Sequence, residues 1–288
     1  MLMTGPGGTG KTHVVRAVKE VMAHHNAAHQ LRFLAPTGSA AALIDGMTIH
    51  KGLGIRIEKA NKSGKGNRTI GEGEDLSVIM SVKNKSKLRE EWKNVDVLFI
   101  DEVSLLSAQL LCEVDYTLRY TKEKPQDWFG GVTLIFSGDL CQYPPVGGTA
   151  LWMPIASNKE TRTISDKEIH KRLGRMAWKT VDTVIDFWEQ YRMKDDPEYA
   201  EAVQRLRTRT CTLDDVDLFN SRVVRSLDHP DGVDMGNAHY ADAAAIVDTN
   251  RLREDLNSRK AVTNSEVKNR MSIVNAAQIS ALLTGVNY

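Results

Sequence analysis

A short apolar run, Met1 to Thr4, breaks into GPGGTGKT, Gly5 to Thr12, and a helical pattern follows from Lys11 to His25. The octapeptide fits G-x-x-x-x-G-K-[ST] and constrains the fold more than any other stretch of the chain. Its four glycines let the backbone curl tightly, so that successive N–H groups converge just before a helix N-terminus. Such a loop needs a strand to launch it and a helix to receive it, which makes the chain α/β. Gly5, Gly7, Gly8, Thr9, Gly10, Lys11 and Thr12 then form a cradle for a phosphate chain. Lys11 reaches the β/γ-phosphates, and the Thr12 hydroxyl is set to ligate the Mg²⁺ that accompanies them.

The same rhythm continues downstream. Leu31 to Ala35, Val95 to Ile100 and Val132 to Ser137 are apolar runs that each end in a polar turn, the pattern of buried parallel strands linked by helices. VDVLFIDEVS, Val95 to Ser104, ends in two carboxylates: Asp101 is placed to hold Mg²⁺ through water and Glu102 to activate an attacking water. LIFSGDLCQYPPVGG, Leu134 to Gly148, ends in a turn where Gln142 is placed to sense a γ-phosphate or position water. After Gly147 the βα rhythm weakens. Helices are expected over Glu168 to Trp178, Asp196 to Arg207, Leu213 to Val224 and Asn250 to Ala261, with strands at Thr183 to Phe187 and Ala244 to Val247. Asp196 should cap its helix with Pro197 at the first position.

Composition narrows the function classes. With 38 Lys+Arg against 37 Asp+Glu, the whole chain carries no basic signal, so any nucleic-acid partner must meet a local patch. The span from Lys51 to Lys93 supplies one, with 11 Lys/Arg against 6 Asp/Glu in a Gly- and Asn-rich setting that reads as an inserted loop, although such runs are also ordinary solvated surface. Cys112, Cys141 and Cys211 form no CxxC pair, which disfavours a disulfide framework or thiolate zinc site and points to a reducing intracellular compartment. No apolar run approaches the ~20 residues of a membrane-spanning helix. His24, His25 and His29 read as solvated groups near a helix end rather than metal ligands, and Trp128, Trp152, Trp178 and Trp188 as packing residues more than base-stacking platforms.

TGPGGTGKT, FLAPTGSAAALIDGMTIHKGLGI, VLFIDEVSLLS, FGGVTLIFSGDLCQYPPV and FWEQYRMKDDPEYAEAVQRLR resemble, in this order, the successive motifs of superfamily-one DNA helicases of the petite integration frequency (PIF) family. RLGRMAWKTV and DVDLFNSRVV are similar to the helicase regions of fungal Helitron-type transposons. The resemblance covers roughly Met1 to Ala261. It implies a RecA-like P-loop domain over residues 1–180, a partial second RecA-like domain over 181–288, and an ATP-driven motor running 5′ to 3′ on single-stranded DNA and DNA junctions. Repair, recombination, telomere maintenance or transposition would be its setting, in the nucleus. By position it implies that Lys11, Glu102, Gln142 and Arg192 are catalytic, Arg192 reaching the γ-phosphate across a domain cleft. It also implies that Pro36, Thr37, Thr48 and His50 touch DNA. The family's adenine-recognition segment would precede the first strand, and nothing after Ala261 matches its later motifs, so the chain reads as C-terminally truncated. Two alternatives stay open: a non-catalytic remnant that binds nucleotide or DNA, and a P-loop ATPase with another substrate.

Overall fold

The computed structural model describes residues 1–55, 82–154, 165–224, 233, 234, 237 and 243–267. Six strands form one sheet: β1 (Leu2–Thr4), β2 (Leu31–Ala35), β3 (Met47–Thr48), β4 (Val97–Ile100), β5 (Thr133–Gly138) and β6 (Val184–Asp186), in the order β3-β2-β4-β5-β1-β6. Every pairing is parallel. The sheet is buried on both faces, which explains why its strands read as continuous apolar runs rather than alternating ones. Along β4, Leu98 and Ile100 enter one core cluster while Phe99 enters the other.

Helices cover the two faces. On one side lie α1 (Lys11–His24) and α2 (Gly38–Leu43), which bring Val15, Ala40 and Ala41 onto Phe33 and Phe99. On the other lie α4 (Val82–Trp92), α5 (Ala108–Thr121) and α6 (Asp166–Trp178), which bring Trp92, Leu111, Val114, Leu118 and Ala177 onto Leu98, Ile100 and Phe136. Helix α3 (Ile49–Gly52) follows β3 directly.

The span from Lys51 to Lys93, expected as an inserted loop, is in part core. Leu53, Leu88 and Trp92 are buried, and the Trp92 indole N–H donates to the Gly52 carbonyl at 3.0 Å, closing the two ends of the span onto each other. Five of its eleven basic residues, Arg56, Lys59, Lys62, Lys65 and Arg68, lie outside the described residues, as does the tail from 268 onward. The carboxylate of Asp196 caps α7 (Pro197–Thr208) by accepting from the Tyr199 amide at 3.2 Å, as the Asp-Pro pair predicts.

Compact packing divides the chain at 212/213, into Met1–Thr212 and Leu213–Tyr288, rather than at 180/181. The reason is β6, which pairs with β1 in register Leu2↔Val184 to Thr4↔Asp186 and so ties the residues after 180 to the first sheet. The second unit contains α8 (Leu213–Asn220) and α9 (Asn250–Val267). The strand expected at Ala244 to Val247 is absent: residues 243–247 pair with no strand, so the β-propensity of that short apolar run has no sheet to join.

Candidate active site

In a wholly parallel sheet all the carboxyl ends lie on one edge, where ligands of open α/β sheets bind. The loops after β1, β4, β5 and β6 meet there around a cleft of about 1340 Å³. The loop after β1 is the glycine octapeptide. Gly8 and Gly10 have φ of +89° and +88°, a left-handed region that penalises any side chain, and no side chain caps the start of α1. The Lys11 and Thr12 amides that open α1 are therefore available to an anion, whereas those of His13 and Val14 donate to Gly10 O at 2.9 and 3.2 Å.

Lys11 lies back over this loop, its ammonium donating to the carbonyls of Gly5 and Pro6, both at 2.8 Å. Burial holds it below the ordinary lysine value, against the opposing pull of the Asp139, Asp101 and Glu102 carboxylates. Thr12 lines the same cleft, while Thr9 is buried with its hydroxyl donating to Pro6 O at 2.9 Å, a loop-bracing role.

Asp101 and Glu102 follow β4. Glu102 sits in left-handed backbone at φ +52°, uncommon for a residue with a side chain and a feature of strained functional turns. Burial pushes its carboxyl above the ordinary glutamate value, the neighbouring Asp101 adds to the rise, and Lys11 opposes it. A raised carboxyl pKa increases its proton affinity, the direction of tuning a general base needs.

After β5, Asp139 is 3% exposed, and its chain neighbours turn round it. The Cys141 amide donates to its Oδ1 at 3.0 Å and the Gln142 amide to its backbone carbonyl at 3.0 Å. Gln142 is exposed and faces the glycine loop: a Cβ built on Gly7 would lie 3.8 Å from Gln142 Nε2 and 3.5 Å from Arg192 Nη1. Gln142 and Arg192 thus converge on one point of the loop.

Arg192 arrives on the segment after β6. Phe187 N donates to Thr4 O at 2.8 Å, Tyr191 N to Gly8 O at 2.9 Å, and Gln190 Nε2 to Gly7 O at 2.8 Å, stitching residues 187–191 to the phosphate loop. Arg192 therefore belongs to the same compact unit as Lys11, not to a unit across a domain cleft, because β6 has joined the first sheet. Trp188, expected as a packing residue, is instead 77% exposed at the cleft wall. Gln190, the loop tether, escaped the sequence reading, because it carries no motif signal before the strand order is known.

The four residues expected at DNA sit apart from the cleft lining. The Thr37 hydroxyl accepts from Ala40 N at 3.3 Å and that of Thr48 from Lys51 N at 3.4 Å, so each caps a short helix at the carboxyl end of neighbouring strands. Pro36 joins β2 to that cap, and burial lowers the His50 pKa, leaving the imidazole neutral at physiological pH. Among the described residues no group of three or more His, Cys, Asp or Glu side chains could hold an ion. The described sets fit Mg²⁺ only as a phosphate-borne ion, for which Thr12 and Asp101 offer one hydroxyl and one carboxylate in a common cleft. Of the tryptophans, Trp178 packs edge-on against Phe136 at 5.2 Å and Trp128 lies under the Arg119 guanidinium at 4.3 Å, both in packing roles.

A model of the PIF1-like helicase family matches residues 1–218. The ATP-dependent DNA helicase PIF1 of Saccharomyces cerevisiae is 28% identical over 228 residues, 79% of this chain and 23% of that protein. The crystal structure of Pif1 helicase from Candida albicans superposes with a TM-score of 0.62 at 23% identity, over 91% of this chain and 51% of that one. A Bacteroides Pif1 helicase crystallised with ADP-AlF3 and ssDNA gives a TM-score of 0.54 at 24% identity, over 79% and 47%. The chain spans about a quarter of the length of the curated relatives it matches.

Proposed function

The chain belongs to the PIF1-like helicase family, and on that premise we propose that it hydrolyses ATP in the cleft after β1 and uses the energy to move 5′ to 3′ along single-stranded DNA. The observation that carries the reading is the convergence of Lys11, Glu102, Gln142 and Arg192 on one glycine loop. In this reading the amides of the loop and the α1 terminus bind the phosphate chain, with Lys11 supplying the fixed positive charge. Thr12 and Asp101 would hold the Mg²⁺, which when bound neutralises charge on the phosphates. Glu102 accepts the proton of the water whose oxygen attacks the γ-phosphorus as the bond to the ADP oxygen breaks. Gln142 orients that water or the γ-phosphate, and Arg192 stabilises the charge that develops on the transferring oxygens.

The DNA track would run over the other end of the same sheet edge, past Pro36, Thr37, Thr48 and His50. Two hydroxyls and a neutral imidazole suit hydrogen bonds to phosphate and sugar, which position the strand without reading sequence. The residues from Leu213 onward, which form the second compact unit, would belong to the second motor domain of the family. Unwinding in repair, recombination, telomere maintenance or transposition, within the nucleus, is the setting we assign; no described helix is long and apolar enough to cross a membrane.

Steady-state ATP hydrolysis with Mg²⁺, with and without single-stranded DNA, tests the reading. Stimulation by DNA that Glu102→Gln abolishes, with ATP still bound, is the expected result. Turnover indifferent to DNA would make the chain an ATPase with another substrate, and ATP binding without turnover would make it a nucleotide-gated binding protein.

A further inference from the structure

The bottom of the cleft is tied to a helix that no motif marks. On α7, Arg207 forms a bidentate pair with Asp139: Nη2 donates to Oδ1 at 2.6 Å and Nη1 to Oδ2 at 2.7 Å, across 68 residues of sequence. The pairing is fork on fork, the arrangement that fixes rotation as well as distance. Asp139 in turn holds the turn that carries Gln142, through the Cys141 amide at 3.0 Å and the Gln142 side-chain amide at 3.5 Å. The chain of contacts therefore runs α7, Arg207, Asp139, Gln142, phosphate loop. Gln204 of α7 and the loop residues Pro6 and Gly7 line a smaller cleft with Arg207, so the helix faces the glycine loop across that cleft.

Arg207 does not itself line the main cleft but reaches it through Asp139, which does. We propose that Arg207 is a positioning residue for ATP hydrolysis: it fixes the Asp139 carboxylate, and through it the Gln142 turn, so that the seating of α7 is reported at the γ-phosphate. This rests on the ATP reading given above and adds a route into it. Helix α7 is the last element before the chain passes to its second unit, so a force drawn along the chain reaches α7 first and the catalytic turn through one ion pair. Without its partner, Asp139 would be a buried, uncompensated carboxylate that relaxes by taking up a proton or rotating to solvent. Either response releases the Cys141 and Gln142 contacts.

Arg207→Ala, Arg207→Lys, Gln142→Ala and the double variant Gln142→Ala/Arg207→Ala are compared by kcat, KM and the pH profile of kcat, beside a direct measure of ATP binding. The expected result is a fall in kcat of about tenfold or more in Arg207→Ala with ATP affinity within about threefold of wild type, since a misplaced turn costs turnover more than binding. Arg207→Lys should recover part of it, a point charge replacing the fork incompletely. The acid limb of kcat should move to higher pH in Arg207→Ala as Asp139 loses its partner. Gln142→Ala/Arg207→Ala should be no slower than Gln142→Ala. Multiplicative losses in the double variant, or an unchanged kcat in a folded Arg207→Ala, would overturn the proposal. Should Arg207→Ala fail to fold, Arg207→Lys alone decides between the two results through its kcat and its pH limb. If wild type neither binds nor hydrolyses ATP, the ATP reading fails by itself. The turn is then judged by hydrogen exchange at the Cys141 amide, which must quicken in Arg207→Lys for the positioning link to stand and stay unchanged for it to fall.

Discussion

Glu102 combines a left-handed backbone with a carboxyl held above its ordinary range by burial and Asp101. Two consequences follow for this one residue. As the base it must be ionised, so kcat falls as pH drops through the raised value, and the acid limb of the rate profile lies above the ordinary glutamate range; a limb at the ordinary value would remove Glu102 as the base. For stability the sign is opposite to that of a salt-bridged acid. The folded state binds the proton more tightly than the unfolded chain, so ionised Glu102 destabilises above its ordinary pKa. Glu102→Gln is therefore expected to raise Tm at neutral pH, with the difference from wild type vanishing below that pKa in a thermal melt series, while turnover drops by about 10²-fold or more. Asp139 runs the other way. Burial pushes its carboxyl up, but the Arg207 hydrogen bonds, the Cys141 amide and the Arg207 charge outweigh it, and the net value is low. Its stabilisation is present above the ordinary aspartate pKa and is lost only as pH falls through the depressed one. Asp139→Asn is expected to destabilise at neutral pH, by about 3 kcal/mol if it strands the guanidinium, and to lose that deficit in acid, as denaturant midpoints at several pH values would record.

Between elements, the α5 and α6 contact makes the sharpest claim. Gly174 on α6 is buried against α5, and a Cβ there would collide with the Ala108 carbonyl oxygen and lie 3.1 Å from Cys112 N. Gly to Ala inside a helix ordinarily gains about 1 kcal/mol from propensity. Here backbone stands in the way and cannot turn aside, so Gly174→Ala should lower stability by about 1–3 kcal/mol, read as a lower denaturant midpoint with unchanged slope. The helices themselves were legible beforehand where periodicity met a clear start signal, the glycine loop before α1 and the Asp-Pro cap of α7. The strand expected at Ala244 to Val247 was not, because a short apolar run has no strand identity until a neighbouring strand offers hydrogen bonds.

For the molecule as a whole, the proposed DNA track and the ATP cleft share one sheet edge but sit at opposite ends of the strand order, with β3 and β2 at one end and β1 and β6 at the other. Coupling between them should appear as DNA-stimulated hydrolysis. With the proposed DNA contacts made to the backbone, that stimulation should be indifferent to sequence, and the DNA concentration giving half-maximal effect should rise steeply with salt. A half-maximal concentration that does not move between about 50 and 200 mM salt would argue against phosphate contacts. Thr37→Ala and Thr48→Ala should weaken it too, though each also removes a helix cap worth about 1 kcal/mol, so thermal melts must accompany the titration.

The sequence by itself determined the α/β class, five of the six described strands to within two residues, and the cleft-lining residues Lys11, Thr12, Asp101, Glu102 and Gln142. Loop glycines, strand-end carboxylates and apolar runs are local signals, set by backbone sterics and burial within a few residues of chain. What tertiary structure alone decided is adjacency. Placing β1 between β5 and β6 brings Gln142 and Arg192 to the same loop, brings Arg192 into the first unit, and lets Arg207 of α7 close on Asp139. Strand order is chosen by how the helices bury both sheet faces at once, a sum over contacts distant in sequence, and no window of residues along the chain contains it.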